Sequence, residues 1–251
     1  MLSILIIIPA YNEVQNIEKV MEHLKHTCPQ YDYVIINDGS TDGTKEICEK
    51  KQYHVIHHPV NRGLTAAMQT GMTYAMEKGY DMALQFDADG QHLPEYIEEM
   101  VTCMEETNCD IVIASRFYGM KMPIRLRSVG GKMISAAIRM TTGKSLTDPT
   151  SGMRLYNKDI INILLENRKF APEPDTIAYL IRMGADVREV KVEMEERKNG
   201  KSYLTPINAI KYMVRVLLSI FIFQWSWDQK KVVNSTGALG GIQQPDINRT
   251  A

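Results

Sequence analysis

The sequence predicts an α/β fold, a doubly wound and mostly parallel sheet, on three observations. Apolar, β-branched runs of strand length alternate with stretches at helical spacing through the first half of the chain. Strand and helix repeat at the pace of βαβ units joined in one sheet. Two of the expected strands end in Asp-rich turns, and in such sheets ligands bind beyond the carboxyl ends of the strands. With 251 residues, 44% apolar and 24% charged, the chain is long and apolar enough for one full core.

Residues 2–8 are almost wholly aliphatic and read as a buried strand. Residues 13–26 then place Val14, Ile17, Val20, Met21 and Leu24 at helical spacing. A second strand, 33–36, runs into Asn37-Asp38-Gly39-Ser40, where Ser40 or Thr41 is expected to cap the helix over 41–51. A short strand at 55–57 precedes a glycine-started helix over 63–78. A fourth strand, 82–86, leads into Asp87-Ala88-Asp89, and helix 94–107 and strand 110–114 follow. From Phe117 the rhythm breaks. A helix near 128–141, a strand at 150–155, helices at 158–167 and 175–183 and a strand at 186–193 are expected. A basic loop, 196–205, comes before the most apolar helix, 206–227. The tail from 232 is rich in Gly, Asn, Gln and Pro and is expected to be disordered.

Composition narrows the function. A net charge of −1 argues against a general nucleic-acid binder, whose affinity would rest on neutralising phosphates. Cys28, Cys48, Cys103 and Cys109 form no CxxC pair and have no His at zinc-ligand spacing, so reduced thiols in a cytoplasmic setting are expected. The apolar start lacks a basic flank and a small-residue cleavage site, unlike a signal peptide.

Three segments could carry chemistry. Asp87 and Asp89, released into a turn after a strand, can point at one hard cation from the same side, with Gln91 as a neutral oxygen donor. A plain Asp-Gly turn with solvated carboxylates explains the same letters. Asp38 ends the second strand and could accept hydrogen bonds from a base or ribose. The window 115–147 holds Arg116, Lys121, Arg125, Arg127, Lys132, Arg139 and Lys144 and no Asp or Glu, which suggests an anionic partner such as a phosphate or a lipid headgroup. A solvated basic face would account for Lys121, Arg139 and Lys144.

Taken together these residues resemble glycosyltransferase family 2, with its GT-A (Rossmann-like) fold. The matching pieces are Ile8-Pro9-Ala10-Tyr11-Asn12-Glu13, Asn37-Asp38-Gly39-Ser40-Thr41-Asp42, Asn61-Arg62-Gly63 and Asp87-Ala88-Asp89-Gly90-Gln91, in order at successive strand ends. The second half is similar to the dolichyl-phosphate mannose synthase and polyprenyl-phosphate glycosyltransferase branch. Ala114-Ser115-Arg116-Phe117, Asp148-Pro149-Thr150-Ser151-Gly152-Met153-Arg154-Leu155 and Glu196-Arg197 with Gly200-Lys201-Ser202 carry that likeness.

The resemblance implies transfer of a sugar, with inversion, from a nucleotide-diphosphate sugar to a polyprenyl phosphate at a membrane. Pro9, Tyr11, Glu13, Asp38 and Arg62 would line the nucleotide pocket, with Ala88 beside them. Asp87, Asp89 and Gln91 would hold Mg²⁺ or Mn²⁺ on the diphosphate. Arg116 and Arg127 would face the acceptor phosphate, and Arg197 and Ser202 would close the late loop over the site. The organisation implied is a GT-A domain over 1–205, with its nucleotide half at 1–116 and its acceptor half at 117–205. An interfacial or dimer-forming helix over 206–228 and a tail over 229–251 would follow.

The sequence departs from the branch in three places. Lys201 stands before Ser202, and Tyr203 follows it where a lysine is usual. Glu173-Pro174-Asp175 begins a helix where members using sugar acceptors carry a catalytic base, which makes Asp175 the first candidate base and Asp148 the second, against the plain reading of a helix N-terminal charge. Finally, only the 12 residues 216–227 are charge-free, short of the ~20 a spanning helix needs, and Lys211, Arg215, Trp225 and Trp227 suggest a helix lying in the interface on the inner face of the membrane.

The acceptor therefore has two readings, a polyprenyl phosphate or a hydroxyl of a lipid-linked or cell-surface glycan. Two other classes remain as alternatives. A nucleotidyltransferase would need a Gly-rich cationic loop after the first strand, which residues 9–13 lack. A protein that binds nucleotide sugars without transfer could lose Asp89 at no cost.

Overall fold

The computed structural model describes residues 2–119, 126–166, 171–195 and 206–222, without the side chains of 126–129 and 206–209. Seven strands form one sheet: β1 (Ile4–Ala10), β2 (Asp32–Asn37), β3 (Val55–His57), β4 (Met82–Gln85), β5 (Ile111–Ser115), β6 (Arg154–Asn157) and β7 (Val187–Lys191). Their order is β3-β2-β1-β4-β6-β5-β7. The helices are α1 (Ile17–Thr27), α2 (Thr44–Lys50), α3 (Leu64–Lys78), α4 (Ile97–Thr107), α5 (Leu126–Thr142), α6 (Lys158–Glu166), α7 (Pro174–Arg182) and α8 (Pro206–Phe221).

β1 shows why the aliphatic start is a central strand. Leu5 and Ile7 face a core shared with α3, α5, α6 and α7, while Ile4, Ile6 and Ile8 face the opposite core with α1 and α4. A strand covered on both faces reads as an unbroken apolar run. β1 pairs in parallel with β2 on one side and β4 on the other, so the chain reverses direction across the sheet between β1 and β4. That reversal opens a crevice at the carboxyl ends of the two strands.

β6 is the departure from a parallel sheet. It lies between β4 and β5 and runs antiparallel to both, with Arg154 opposite Gln85 and Ile113. Its direction puts the segment before it, 148–153, at the same edge as the ends of β4 and β5. The strand expected over 150–155 is thus shifted, since 150–153 belongs to that edge loop.

Candidate active site

The crevice is built from strand ends. After β1, three consecutive N–H groups are taken by side chains of the segment after β2: Asn12 donates to Ser40 Oγ (3.0 Å), Glu13 to Thr44 Oγ1 (3.0 Å) and Val14 to Asp42 Oδ2 (3.1 Å). The expected cap is therefore corrected. Ser40 is used between loops, α2 begins later at Thr44, and it is Asp42 that accepts the Thr44 N–H. Pro9, Tyr11 and Glu13 are half-buried along this edge, and Glu13 holds Asn16 Nδ2 at 2.6 Å.

Asp38 is 3% exposed, and protein donors already occupy both its oxygens. Oδ1 accepts from the Arg62 N–H (3.0 Å) and meets His58 Nδ1 (2.7 Å), and Oδ2 accepts from the Gly63 N–H (2.7 Å). Asp38, expected to contact the nucleoside, is also what fixes the 58–63 loop. Gly39 explains the closeness of that loop. Its φ is +67°, and a Cβ there would run into the backbone of Val60 and Asn61. The Arg62 side chain itself is exposed.

Asp87 and Asp89 follow β4, with buried Ala88 between them. The Asp87 N–H donates to His92 Nδ1 (2.9 Å), which leaves the ring proton on Nε2, 3.6 Å from Asp87 Oδ2. Asp89 Oδ1 accepts the Gln91 N–H (3.0 Å). Gln91 Nε2 reaches the Glu195 carbonyl (3.4 Å), so its amide oxygen stays available as an acceptor. Among the described residues, no Lys or Arg forms an ion pair with Asp87 or Asp89. Two carboxylates on one turn without a cationic partner suit a hard divalent ion. No group of three or more His, Cys, Asp and Glu able to hold a metal ion is found among the described residues, so an ion held by Asp87 and Asp89 would have positions left for oxygens of a bound phosphate.

Arg116 directly follows β5 and makes a bidentate pair with Asp148, Nε to Oδ2 at 2.6 Å and Nη2 to Oδ1 at 2.9 Å. Asp148 is 1% exposed, whereas the Arg116 side chain keeps 40% of its surface in solvent. The Asp148 hydrogen bond raises the Arg116 pKa above the ordinary guanidinium value. The candidate base Asp148 has its oxygens engaged by a guanidinium and shielded from solvent. Asp175 is likewise engaged, accepting from Ser219 Oγ on α8 at 2.6 Å, while neighbouring Glu173 pairs with Arg215 (2.8 Å). Of the cationic window, Lys144 pairs with Asp186 and only Lys132 and Arg139 are exposed cations on described side chains of α5. The side chain of Arg127, together with Lys121, Arg125, Arg197, Lys201, Ser202, Tyr203 and the tail, lies outside the described residues.

Several residues here escaped the sequence reading. His92 and Glu189 are not singled out by sequence, and Gly152 and Arg154 stand only within the 148–155 motif without a role, because each acts through a contact or a burial that the sequence alone does not show. Glu189 on β7 accepts the N–H groups of Thr147 (2.8 Å) and Asp148 (2.8 Å). The cysteines take no part in the site. All four are free, and burial pushes the thiols of Cys28, Cys48 and Cys109 up to about 11.

Comparison with known proteins gives the family and the fold. The glycosyl transferase family 2 model matches residues 5–164. The undecaprenyl-phosphate mannosyltransferase of Micrococcus luteus is 29% identical over 81% of this chain and 88% of its own length. The UDP-N-acetylglucosamine–dolichyl-phosphate N-acetylglucosaminyltransferase of Methanococcus voltae is 34% identical over 65% and 72%. A crystal structure of glucosyl-3-phosphoglycerate synthase from Mycobacterium tuberculosis with Mn²⁺, UDP-glucose and phosphoglyceric acid has a TM-score of 0.66 at 17% identity, over 90% of this chain and 80% of that one. The sheet is therefore that of the GT-A fold. On the family match over most of its core, this chain belongs to glycosyl transferase family 2.

Proposed function

We propose that the protein transfers a sugar, with inversion, from a nucleotide-diphosphate sugar to a polyprenyl phosphate at a membrane surface, using Mg²⁺ or Mn²⁺. The observation that carries this reading is the meeting, at one sheet edge, of the Asp87/Asp89 turn, with which no Lys or Arg among the described residues pairs, and a loop that holds Arg116. The relatives' names support the acceptor, since the Micrococcus luteus and Methanococcus voltae proteins are named for undecaprenyl and dolichyl phosphate.

Asp87 and Asp89, with the Gln91 amide oxygen, would hold the cation, which when bound offsets charge growing on the leaving diphosphate. The chain's own residues do the positioning. The 58–63 loop, clamped by Asp38, forms one wall of the donor crevice beside Tyr11 and Arg62. Arg116, kept charged and aimed by Asp148, orients an anionic acceptor on the other side, and Arg127, Arg197 and Ser202 would complete that wall. A phosphate acceptor is already nucleophilic and needs no base. Both candidate bases are engaged elsewhere, Asp148 with Arg116 and Asp175 with Ser219, which favours the phosphate over a glycan hydroxyl.

The membrane part rests on α8. Ile210, Val214, Leu218 and Ile222 are exposed at four-residue intervals, no acidic residue lies on α5 or α8, and Lys132, Arg139 and Lys211 are exposed, as is Arg215, which pairs with Glu173. No helix among the described residues is long and apolar enough to cross a membrane.

A transfer assay with UDP-, GDP- and dTDP-sugars, with and without polyprenyl phosphate and Mn²⁺, tests the proposal. Asp89→Ala should abolish metal-dependent transfer, and Arg127→Ala should cost far more than Asp175→Asn. The reverse ranking would assign a hydroxyl acceptor and a base at Asp175. Donor binding that survives Asp89→Ala, with no transfer by either protein, would mark a binding protein instead.

A further inference from the structure

The loop before β6 touches both halves of the crevice. Asp148 in it grips Arg116, and four residues later Gly152 lies against Asp87. A Cβ on Gly152 would stand 2.7 Å from Asp87 Oδ2 and 3.5 Å from Asp87 Cγ and His92 Cε1. The φ of Gly152 is outside the left-handed region, so the backbone there accepts any residue. What leaves no room for a side chain is the Asp87 carboxylate, with the His92 ring behind it.

The loop is held at both ends. Glu189 takes the N–H groups of Thr147 and Asp148. Arg154, 1% exposed, donates from Nε to the Ser151 carbonyl (2.8 Å) and from Nη2 to the Pro149 carbonyl (2.8 Å). A buried guanidinium bonded to two carbonyls of one turn fixes that turn's height above the sheet.

We infer that Gly152 is a positioning residue for the cation site. It leaves open the space that the Asp87 carboxylate fills in the rotamer seen here, and Arg154 sets the height of the turn that provides it. The inference rests on the proposed role of Asp87 and Asp89 as cation ligands. It adds that cation affinity is governed from the acceptor-side loop, by residues that touch neither cation nor donor.

Manganese binding by the full chain, read from the paramagnetic resonance signal of free Mn²⁺ with no sugar donor present, tests this. Gly152→Ala should weaken binding about tenfold, the scale of losing an outer partner of a metal ligand, while the thermal midpoint in metal-free buffer stays close to the original. The expected split arises because Asp87 can swing aside at little cost to the fold, but not without leaving the cation. Arg154→Lys, which keeps the charge and loses part of the carbonyl grip, should weaken binding in the same direction. If Gly152→Ala binds Mn²⁺ like the unaltered protein while Asp89→Ala does not, the inference is overturned and the cation site stands. If the unaltered protein and Asp89→Ala bind alike, the cation site itself falls and the inference with it. A loss of affinity matched by a large fall in thermal midpoint would mean general loosening, and would also overturn it.

Discussion

Asp38 shows how much one residue's role depends on partners far along the chain. The segment 37–42 is legible as a polar strand end, and its place in the crevice follows from that alone. Its use does not, because the donors that occupy Asp38 come from Arg62 and Gly63, 24 and 25 positions away, and from His58, which also reaches Thr70 Oγ1 at 2.9 Å. Asp38→Asn places an amide N–H₂ opposite backbone N–H groups. It should cost about 2–3 kcal/mol, the scale of losing charge-assisted bonds in a buried site. Urea unfolding measures that loss, and faster proteolysis near residues 58–63 would locate it. An unchanged unfolding midpoint would show that Asp38 does not hold the loop.

At the scale of elements, α3 and β1 approach more closely than side chains would permit. Gly71 faces Ile7, and a Cβ at Gly71 would overlap the Ile7 side chain, which is fully buried and branched next to the backbone. Helix propensity favours alanine there by about 1 kcal/mol. Overpacking a closed core costs about 1–3 kcal/mol and should win, because Ile7 is fully buried and its branch at Cβ is what the new methyl meets. Gly71→Ala is expected to lower the thermal midpoint by a few degrees, and a rise would show that α3 can shift outward. The helices and strands of the first half stand close to where periodicity placed them, with boundaries moved by a residue or a few. β6 is different: its apolar residues announce a strand, but nothing local says that it runs antiparallel between β4 and β5.

For the whole molecule, paired carboxylates set the response to acid. The Asp81 carboxyl is held below its ordinary value of 3.8 by the Ser3 N–H and hydroxyl. At Asp42 and Asp186 burial pushes upward but is outweighed, by hydrogen bonds from Thr44 and Val14 at the first and by Arg188 and Lys144 at the second. A group whose folded pKa is depressed stabilises the fold above its unfolded value and loses that contribution as pH falls through the folded value. Asp110, raised chiefly by burial, works in the opposite sense. Urea midpoints should therefore fall below about pH 4, and Asp186→Asn should flatten that fall. An acid limb that Asp186→Asn leaves unaltered would remove Asp186 from the account. The sequence by itself determined the strands and helices of the first half, the two-sided core and the acidic strand ends, because burial period and turn chemistry are local properties of the chain. Only the tertiary structure decided what those ends do. The direction of β6 carries 148–152 to the crevice, where Asp148 is spent on Arg116 and Gly152 is pressed onto Asp87. Such contacts join residues dozens of positions apart and leave no periodic trace.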